Sequence, residues 1–454
     1  MQSLLSSFQQ LLSSLAHPIK RYCIAFSGGR DSHILLDLAA RTVPASQLFA
    51  IHIHHGWHPA AQQWIHHCHT ICQTLNIPLM VQSVEKTLQS SQYIQQHGGP
   101  EAAARHARYA ALTAALQPED CLLTAHHQQD QAETVLLQLI RGAGPAGLAG
   151  MPTLSDCTTV YHLRPLLNWT SADLSHYATQ YGLQWIEDSS NRDTRFARNF
   201  IRHEILTALQ ARWPSVTKTL SRAAHHCAET QDLLTEIATQ DLAQCLSTQS
   251  HILSIQALKA LSYPRRCNTL RYWFKQLGLM APSTAQFQQI EQLLQANPAK
   301  TNPQFCWKNK ASTKPYQLRC YRENLYALLD SSPIQLVDCS WDWHQPLTLA
   351  DQRTLHAHPC VGQGIRASAL IQAPLQVRFR SGGERFRPQG RSGSHPLKKL
   401  FQEWGIPSWE RSALPLLYHH GQCIAIVGYA VDHATAANPT EPGIMIEISN
   451  RPLA

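Results

Sequence analysis

A chain of 454 residues that is 44% hydrophobic can bury two or three cores at roughly 150 residues each, which excludes a small scaffold held by staples. Its 38 Lys and Arg against 30 Asp and Glu leave a formal charge of +8, a modest excess that suits a polyanionic partner without demanding one. The 13 cysteines are odd in number and scattered, with no spacing that reads as a disulfide framework, so reduced thiols in the cytoplasm are the simpler reading, and no run approaches the roughly 18 apolar residues of a membrane span.

At the N-terminus Leu4, Leu5, Phe8, Leu11, Leu12 and Leu15 recur at helical spacing. Ser and Gln interrupt them and no basic residue precedes them, so the segment predicts an amphipathic helix docked on its domain rather than a signal peptide. Apolar runs follow at 22–26, 48–54, 78–84 and 121–127, each trailed by a longer amphipathic segment. That alternation predicts an α/β fold with a doubly wound parallel sheet, in which ligands sit beyond the carboxyl ends of the strands.

From about 215 to 300 the periodicity is helical, with one break near SYPRR at 262–266; alternating runs appear after 315, and a less periodic stretch reaches about 365. The expected organisation is therefore a catalytic domain at 1–214, an all-helical domain at 215–330, a linker at 331–365 and a small α+β domain at 366–454. In the last of these, eight Lys or Arg stand against three Glu between Arg378 and Arg411, the main electrostatic candidate for touching phosphates. HHCH at 66–69 with Cys72 has one-turn spacing that invites a metal, but it reads as a helix packing on the sheet with no second ligand cluster.

SGGRDS at 27–32 directly follows the first strand and opens a helix. Gly28 and Gly29 let the backbone turn tightly, so successive N–H groups form a nest for an anion, with the hydroxyls of Ser27 and Ser32 beside it. Asp31 would repel bare phosphate but fits a site where it holds Mg²⁺. The plain alternative is an ordinary turn in which Asp31 caps a helix. No GxxxxGK[ST] occurs, which excludes a Walker-type loop. The strand, SGGxDS and helix unit is similar to the PP-loop superfamily of N-type ATP pyrophosphatases, which implies ATP cleaved between its α and β phosphates.

Further segments narrow the resemblance: IHIHHGWH at 51–58, EAAARHARYAAL at 101–112, LTAHHQQDQAETVLLQLIRGAGPAGLAGM at 123–151, IEDSSNRDTRFARNFIRHEIL at 186–206, and the basic stretch from VRFRSGGERFRPQG to CIAIVG. In this order they resemble the bacterial tRNA(Ile)-lysidine synthetase family over nearly the whole chain. The resemblance implies a cytoplasmic ligase that uses ATP and Mg²⁺ to join L-lysine to the wobble cytidine of isoleucine tRNA with a CAU anticodon. The cytidine is first adenylated with release of pyrophosphate, and lysine then displaces AMP. A homodimer is left open. One departure is Gln129, which stands where the family often has the first of two aspartates, so Asp130 must act alone.

Within this frame Ser27, Gly28, Gly29, Arg30, Asp31, Ser32 and His54 are the expected ATP-binding residues, Arg30 being the variable position of the loop and also compatible with solvent. Arg105 and Arg108, three apart on one helical face, are expected to guide phosphate or to be a solvated pair. Asp130 and Glu133 share a face suited to the lysine ammonium, although His126 or His127 with Asp130 could merely cap a helix. Asn191, Arg198, Asn199 and Arg202 are expected either to order the domain junction with tRNA nearby, Arg198 and Arg202 binding it, or to form a salt-bridged surface helix; Arg385, Arg387, Lys398 and Lys399 are expected at tRNA phosphates, whereas Trp404 and Trp409 read more readily as core than as base-stacking platforms. A tRNA thiolase is disfavoured because no CxxC is present, and a glutaminase-coupled synthetase because Met1-Gln2 offers no N-terminal cysteine. A non-catalytic RNA-binding protein is the remaining rival, with Gln129 as its support.

Overall fold

The computed structural model describes residues 3–16, 18–54, 56, 60–157, 160–247, 249–296, 303–307, 315–329, 336–370 and 374–449. His55 of the expected HxHHG element, and Trp57 and His58 that follow it in the segment 51–58, lie outside the described residues. The chain divides into two compact units, 1–241 and 242–454.

In the first unit the apolar runs become strands β1 (Arg21–Ala25), β2 (Leu48–His54), β3 (Leu79–Ser83), β4 (Asp120–Leu123), β5 (Leu154–Cys157) and β6 (Val160–Leu163), in the order β3-β2-β1-β4-β6-β5. All neighbours pair in parallel except the edge hairpin of β5 and β6. Successive residues of a strand point to opposite faces. Thus Ile24 enters the core with Leu35, Leu38, Cys68 and Leu163, while Cys23 joins Ile51, Leu112 and Leu122 on the other side. Burial on both faces requires helices on both, and explains why β1 and β4 read as unbroken apolar runs.

The helices are α1 (Leu4–Ser13), α2 (Arg30–Thr42), α3 (Ala61–Thr74), α4 (Glu85–Leu88), α5 (Ser91–Gln96), α6 (Pro100–Ala114), α7 (Gln128–Ile140), α8 (Pro145–Leu148), α9 (Ser171–Gln180), α10 (Ala197–Phe200), α11 (Leu206–Arg212) and α12 (Val216–Cys245). Leu4 and Phe8 of α1 are buried in the same core, as its periodicity predicts. Cys68 and Cys72 of α3 also sit there, and burial pushes both thiols up to about 12, the behaviour of core residues. Two expectations change. The strand expected over 121–127 ends at Leu123, because His127 already caps α7, and the β5–β6 hairpin adds an edge that the periodicity did not reveal.

The second unit takes in the last turn of α12, whose Leu242 and Cys245 join its core, and holds α13 (Ile255–Ala260), α14 (Tyr263–Gln276) and α15 (Thr284–Gln295), packed on strands β7 (Ile252–Ser254), β8 (Gln304–Trp307), β9 (Tyr316–Tyr321) and β10 (Asn324–Leu329). These strands form an antiparallel sheet ordered β7-β10-β9-β8, so the all-helical expectation for 215–330 is corrected: the alternating runs after 315 are a hairpin, and short segments flanking the helices complete its sheet. SYPRR is the start of α14, with its proline in the first turn, where a missing N–H costs nothing.

The remainder holds β11 (Cys339–Trp341), β12 (Leu347–Thr348), β13 (Thr354–Val361), β14 (Ile365–Arg366), β15 (Leu375–Arg378), β16 (Arg385–Phe386), β17 (His395–Pro396), α16 (Leu397–Glu403), β18 (Leu416–His419), β19 (Gln422–Ile426), β20 (Ala430–Val431) and β21 (Pro442–Ser449). Sheets ordered β11-β15-β18-β19-β20 and β12-β13-β21-β14 enclose Trp341, Leu355, Leu375, Leu417 and Ile444. The expected linker at 331–365 is therefore corrected as well. β13 pairs along its length with β21, and its half-exposed, Pro-containing sequence is that of a strand with one wet face.

One polar brace crosses the helical core of this unit. Arg266 of α14 donates to Leu258 O (3.0 Å) and Leu261 O (3.1 Å) at the end of α13, and to Glu291 of α15 at 2.9 and 2.8 Å. Removing one partner of a buried pair leaves the other charge uncompensated. Glu291→Ala is expected to destabilise this region by about 3–5 kcal/mol, read as faster amide exchange in α13–α15, whereas Arg266→Met with Glu291→Leu is expected to cost less. Equal protection in wild type and Glu291→Ala would contradict this role.

Candidate active site at the carboxyl edge of the parallel sheet

The loop between β1 and α2 is held by its own serines. Ser32 Oγ donates to Gly29 O at 2.9 Å and lies 3.0 Å from Ser27 Oγ, and Ser27 N and Gly29 N turn inward onto those hydroxyls at 3.3 and 3.4 Å. Gly28 has φ +83°, and a Cβ there would sit 3.1 Å from Cys68 Sγ, so only glycine fits without displacing α3. The backbone N–H groups of Gly28, Arg30, Asp31 and Ser32 have no acceptor among the described residues. They form the open end of a 13-residue helix and its preceding turn, a concentration of donors suited to phosphate oxygens.

Arg30 does not face solvent. Its guanidinium donates to Ser175 Oγ (2.9 Å), Ser171 Oγ (3.0 Å) and Asp31 Oδ1 (2.8 Å), which ties the loop to α9 and corrects the solvent alternative. The other oxygen of Asp31 lies 3.5 Å from His127 Nε2. Burial works to raise the Asp31 carboxyl, but the hydrogen bond from His127 and the charge of Arg30 outweigh it and hold it below the ordinary carboxylate range. The side chain of Asp31 remains 31% exposed. A single accessible carboxylate beside a phosphate nest fits Mg²⁺, which takes one or two carboxylates and fills the rest of its shell with phosphate and water. Among the described residues no cluster of three or more His, Cys, Asp or Glu forms a cage of protein ligands.

Beyond β4 the start of α7 is a capping box: Gln129 N donates to His127 Nδ1, and His127 N donates to Asp130 Oδ2 at 2.9 Å. The capping role envisaged for His127 and Asp130 is thus present, and Asp130 carries more besides. Its Oδ1 accepts from Arg198 and Arg202, both at 3.1 Å. Glu133, fully buried one turn on, accepts from Arg198 Nε at 2.7 Å and Arg202 Nε at 2.6 Å. Both arginines project from α10 and the π-helical turn that continues it through Ile201–Ile205, seated on Ala132 by Ile201 and Leu206. Burial alone would raise Asp130, but the charges of His127 and Arg198 bring it down to about 2.

This arrangement alters two expectations. Arg198 and Arg202 turn inward onto carboxylates rather than outward, and both oxygens of Glu133 are already engaged by them.

Arg105 and Arg108 of α6 have no carboxylate or hydrogen-bond partner among the described residues; both lie over the ring of Tyr109, at 5.0 and 5.7 Å. Burial, aided by the charges of Arg105 and Arg198, pulls Arg108 below the ordinary arginine value, the mark of a cation short of compensating charge. His126 is likewise pulled down to about 3 by burial and by Arg198, Arg164 and Arg105, although Asp130 opposes the shift. Positive potential therefore exceeds negative here, as an anionic ligand requires. His54 is half-buried at the end of β2, the strand beside β1, opposite Ser83 of β3. Sequence reasoning missed Thr124, His162 and Arg164, which stand behind His126; the only signal was an arginine inside the apolar run 160–167.

In the second unit Lys398 and Lys399 are exposed on the first turn of α16, and Arg385 is exposed with one bond, to Ser394 O at 2.6 Å. Arg380, Glu384, Arg385 and Lys398 line a cavity of about 290 Å³. Arg387 is partly buried and donates to Arg391 O at 3.2 Å, closing a turn. Trp409 packs edge-on against Tyr321 and Tyr326, and Trp404 stacks on Tyr429, so both belong to packing, as expected.

Family comparisons divide the chain in the same order. A PP-loop domain matches residues 2–209, a TilS substrate binding domain 253–326 and a TilS substrate C-terminal domain 375–448. The tRNA(Ile)-lysidine synthase of Coxiella burnetii is 40% identical over 432 residues, covering 94% of this chain and 93% of that protein. Those of Methylococcus capsulatus and Serratia proteamaculans are 39% identical over 416 residues and 38% over 434, covering 91% and 94% of this chain and 92% and 95% of the respective proteins.

The ionic cluster makes a pH prediction. Asp130 has its folded value lowered to about 2, against roughly 3.9 unfolded. A depressed carboxylate contributes stability that is complete above the unfolded value and is lost as pH falls through the folded one. Stability should therefore fall between about pH 4 and pH 2, and Asp130→Asn should make that slope shallower by up to about one proton, roughly 1.4 kcal/mol per pH unit. Urea titrations across this range check it; identical slopes would contradict the assignment.

Proposed function

The chain belongs to the tRNA(Ile)-lysidine synthase family, and from that premise we propose how its own residues divide the work of an ATP-dependent ligase that forms lysidine on tRNA(Ile). The observation that carries the proposal is the serine-locked turn after β1, whose outward amides stand in a region of excess positive charge.

The substrate is an isoleucine tRNA with a CAU anticodon, met in the cytoplasm. Its wobble cytidine O2 attacks the α-phosphorus of ATP, breaking the bond to pyrophosphate, and the ε-amine of L-lysine then displaces AMP at C2 of the base. The amides of Gly28, Arg30, Asp31 and Ser32 bind the phosphates, with Ser27, Ser32 and Gly29 keeping the turn in shape. His54, at the neighbouring strand end, borders the nucleotide. Mg²⁺ held by Asp31 would neutralise charge between the phosphates. Arg105 and Arg108, which have no carboxylate partner among the described residues, receive negative charge at the α-phosphate.

Asp130 is the carboxylate assigned to the lysine ammonium, since it is 13% exposed while Glu133 is closed off. Glu133 holds Arg198 and Arg202 in place beside Asp130, which orders the helical turn that the tRNA approaches. Exposed Arg385, Lys398 and Lys399, with Arg387 shaping the loop beside them, contact tRNA phosphates from the second unit.

Pyrophosphate release from ATP is expected to require the tRNA, and AMP release to require lysine as well; release that ignores tRNA would overturn the proposal, and none at all would favour an RNA-binding protein. Asp31→Ala should slow pyrophosphate release at least about 100-fold with tRNA affinity little changed, and loss of both together would make Asp31 structural. Lys398→Ala with Lys399→Ala should weaken tRNA binding and flatten the slope of log affinity against log salt by about 1–2, with ATP binding preserved. An unchanged slope would remove these lysines from the interface.

A further inference from the structure

Behind His126 lies a run of buried polar side chains that the roles above leave unused. Arg164, just past the end of β6 and 8% exposed, donates from Nη2 to His162 Nδ1 at 2.9 Å. His162 Nε2 lies 2.8 Å from Thr124 Oγ1, and Thr124 Oγ1 lies 2.8 Å from His126 Nδ1. Arg164 Nη1 is anchored on Pro152 O at 2.8 Å, so the guanidinium is oriented from the β5 side of the sheet.

A guanidinium has only donors, and this orders the chain. His162 Nδ1 must accept, so in the neutral ring the proton sits on Nε2 and is donated to Thr124 Oγ1. Thr124, accepting from His162, has its single hydroxyl proton left for His126 Nδ1. His126 Nδ1 is then the acceptor, and its proton is on Nε2, the ring nitrogen with no partner among the described residues. Both rings are neutral, since burial and the surrounding arginines hold His126 and His162 down to about 3.

We infer that Arg164 is a positioning residue that, through His162 and Thr124, sets the tautomer of His126 so that a neutral Nε2–H is presented as a ready hydrogen-bond donor to an anionic oxygen of the nucleotide. Burial holds this donor uncharged, so it adds no charge for Asp130 to attract, and its direction is set before the ligand arrives, which is what lets a dipole stabilise developing charge without reorganising. Without Arg164, His162 can take the opposite tautomer, the threonine hydroxyl can reverse, and His126 can turn its lone pair toward an anion. The donor role rests on the active-site assignment above; the tautomer does not.

The test uses the full-length chain labelled with ¹⁵N-histidine near pH 7, without ATP or tRNA, with the His126 signals identified by their loss in His126→Gln. Wild type is expected to show a neutral His126 protonated on Nε2. Arg164→Met and Thr124→Val should each shift it toward a mixture of tautomers. Both variants should lower kcat for tRNA-dependent pyrophosphate release about ten-fold with KM for ATP within about two-fold, and Thr124→Ser should recover both tautomer and rate relative to Thr124→Val. Thr124→Val leaves Arg164 on its carbonyl and keeps the test open should Arg164→Met fail to fold. A His126 protonated on Nδ1, a charged ring, or a tautomer indifferent to both substitutions would overturn the inference. A shifted tautomer with an unchanged rate would overturn the donor role. A wild-type protein that releases no pyrophosphate would instead count against the ligase assignment while leaving the tautomer result intact.

Discussion

The amides that open α2 must stay unpaired and outward-facing while the turn before them stays rigid. Two opposed demands are met at once because the bonds that stiffen the turn come from side chains: Ser27 and Ser32 hydroxyls absorb the inward-facing groups, leaving the remaining N–H donors free. Gly28 supplies the left-handed backbone and the close approach to α3, where Cys68 leaves no room for a side chain. Arg30 then anchors the first helical residue to α9. A rigid nest loses little entropy on meeting phosphate, so its donors act at close to full strength.

The carboxylates around the nest obey a related logic. Asp130 and Glu133 would be costly to bury alone, and so would Arg198 and Arg202. Brought together by packing of Ile201 and Leu206 on α7, the four groups satisfy one another and keep Asp130 ionised. Among the described residues the arginines of α6 have no such compensation, which leaves the surroundings of Arg108 short of negative charge. A magnesium nucleotide supplies charge of the missing sign.

How much of this was legible depended on sequence distance. The phosphate turn was readable because its signal is local: a strand, two glycines and two serines within a few residues, then a helix. The pairing of Asp130 and Glu133 with Arg198 and Arg202 was not, since it joins residues 65 to 72 apart and depends on how one helical turn packs against another. Arg30 resembled a surface residue because its partners Ser171 and Ser175 lie on a distant helix whose approach has no local signature. The same applies to Arg164, which reads as an isolated charge until β6 is placed beside β4. In the second unit β7 and β8 are three and four residues long, too short to show periodicity, and β13 alternates too weakly for its pairing with β21 to be foreseen.

The central claim is that backbone amides of the turn after β1 grip the nucleotide's phosphates. A crystal structure of the protein with a non-cleavable ATP analogue tests it most directly. The account predicts phosphate oxygens at hydrogen-bonding distance, about 2.7–3.2 Å, from the N–H groups of residues 28–32, with the Ser27 and Ser32 hydroxyls unmoved. An analogue bound elsewhere, with that turn closed over by its own side chains, would contradict it.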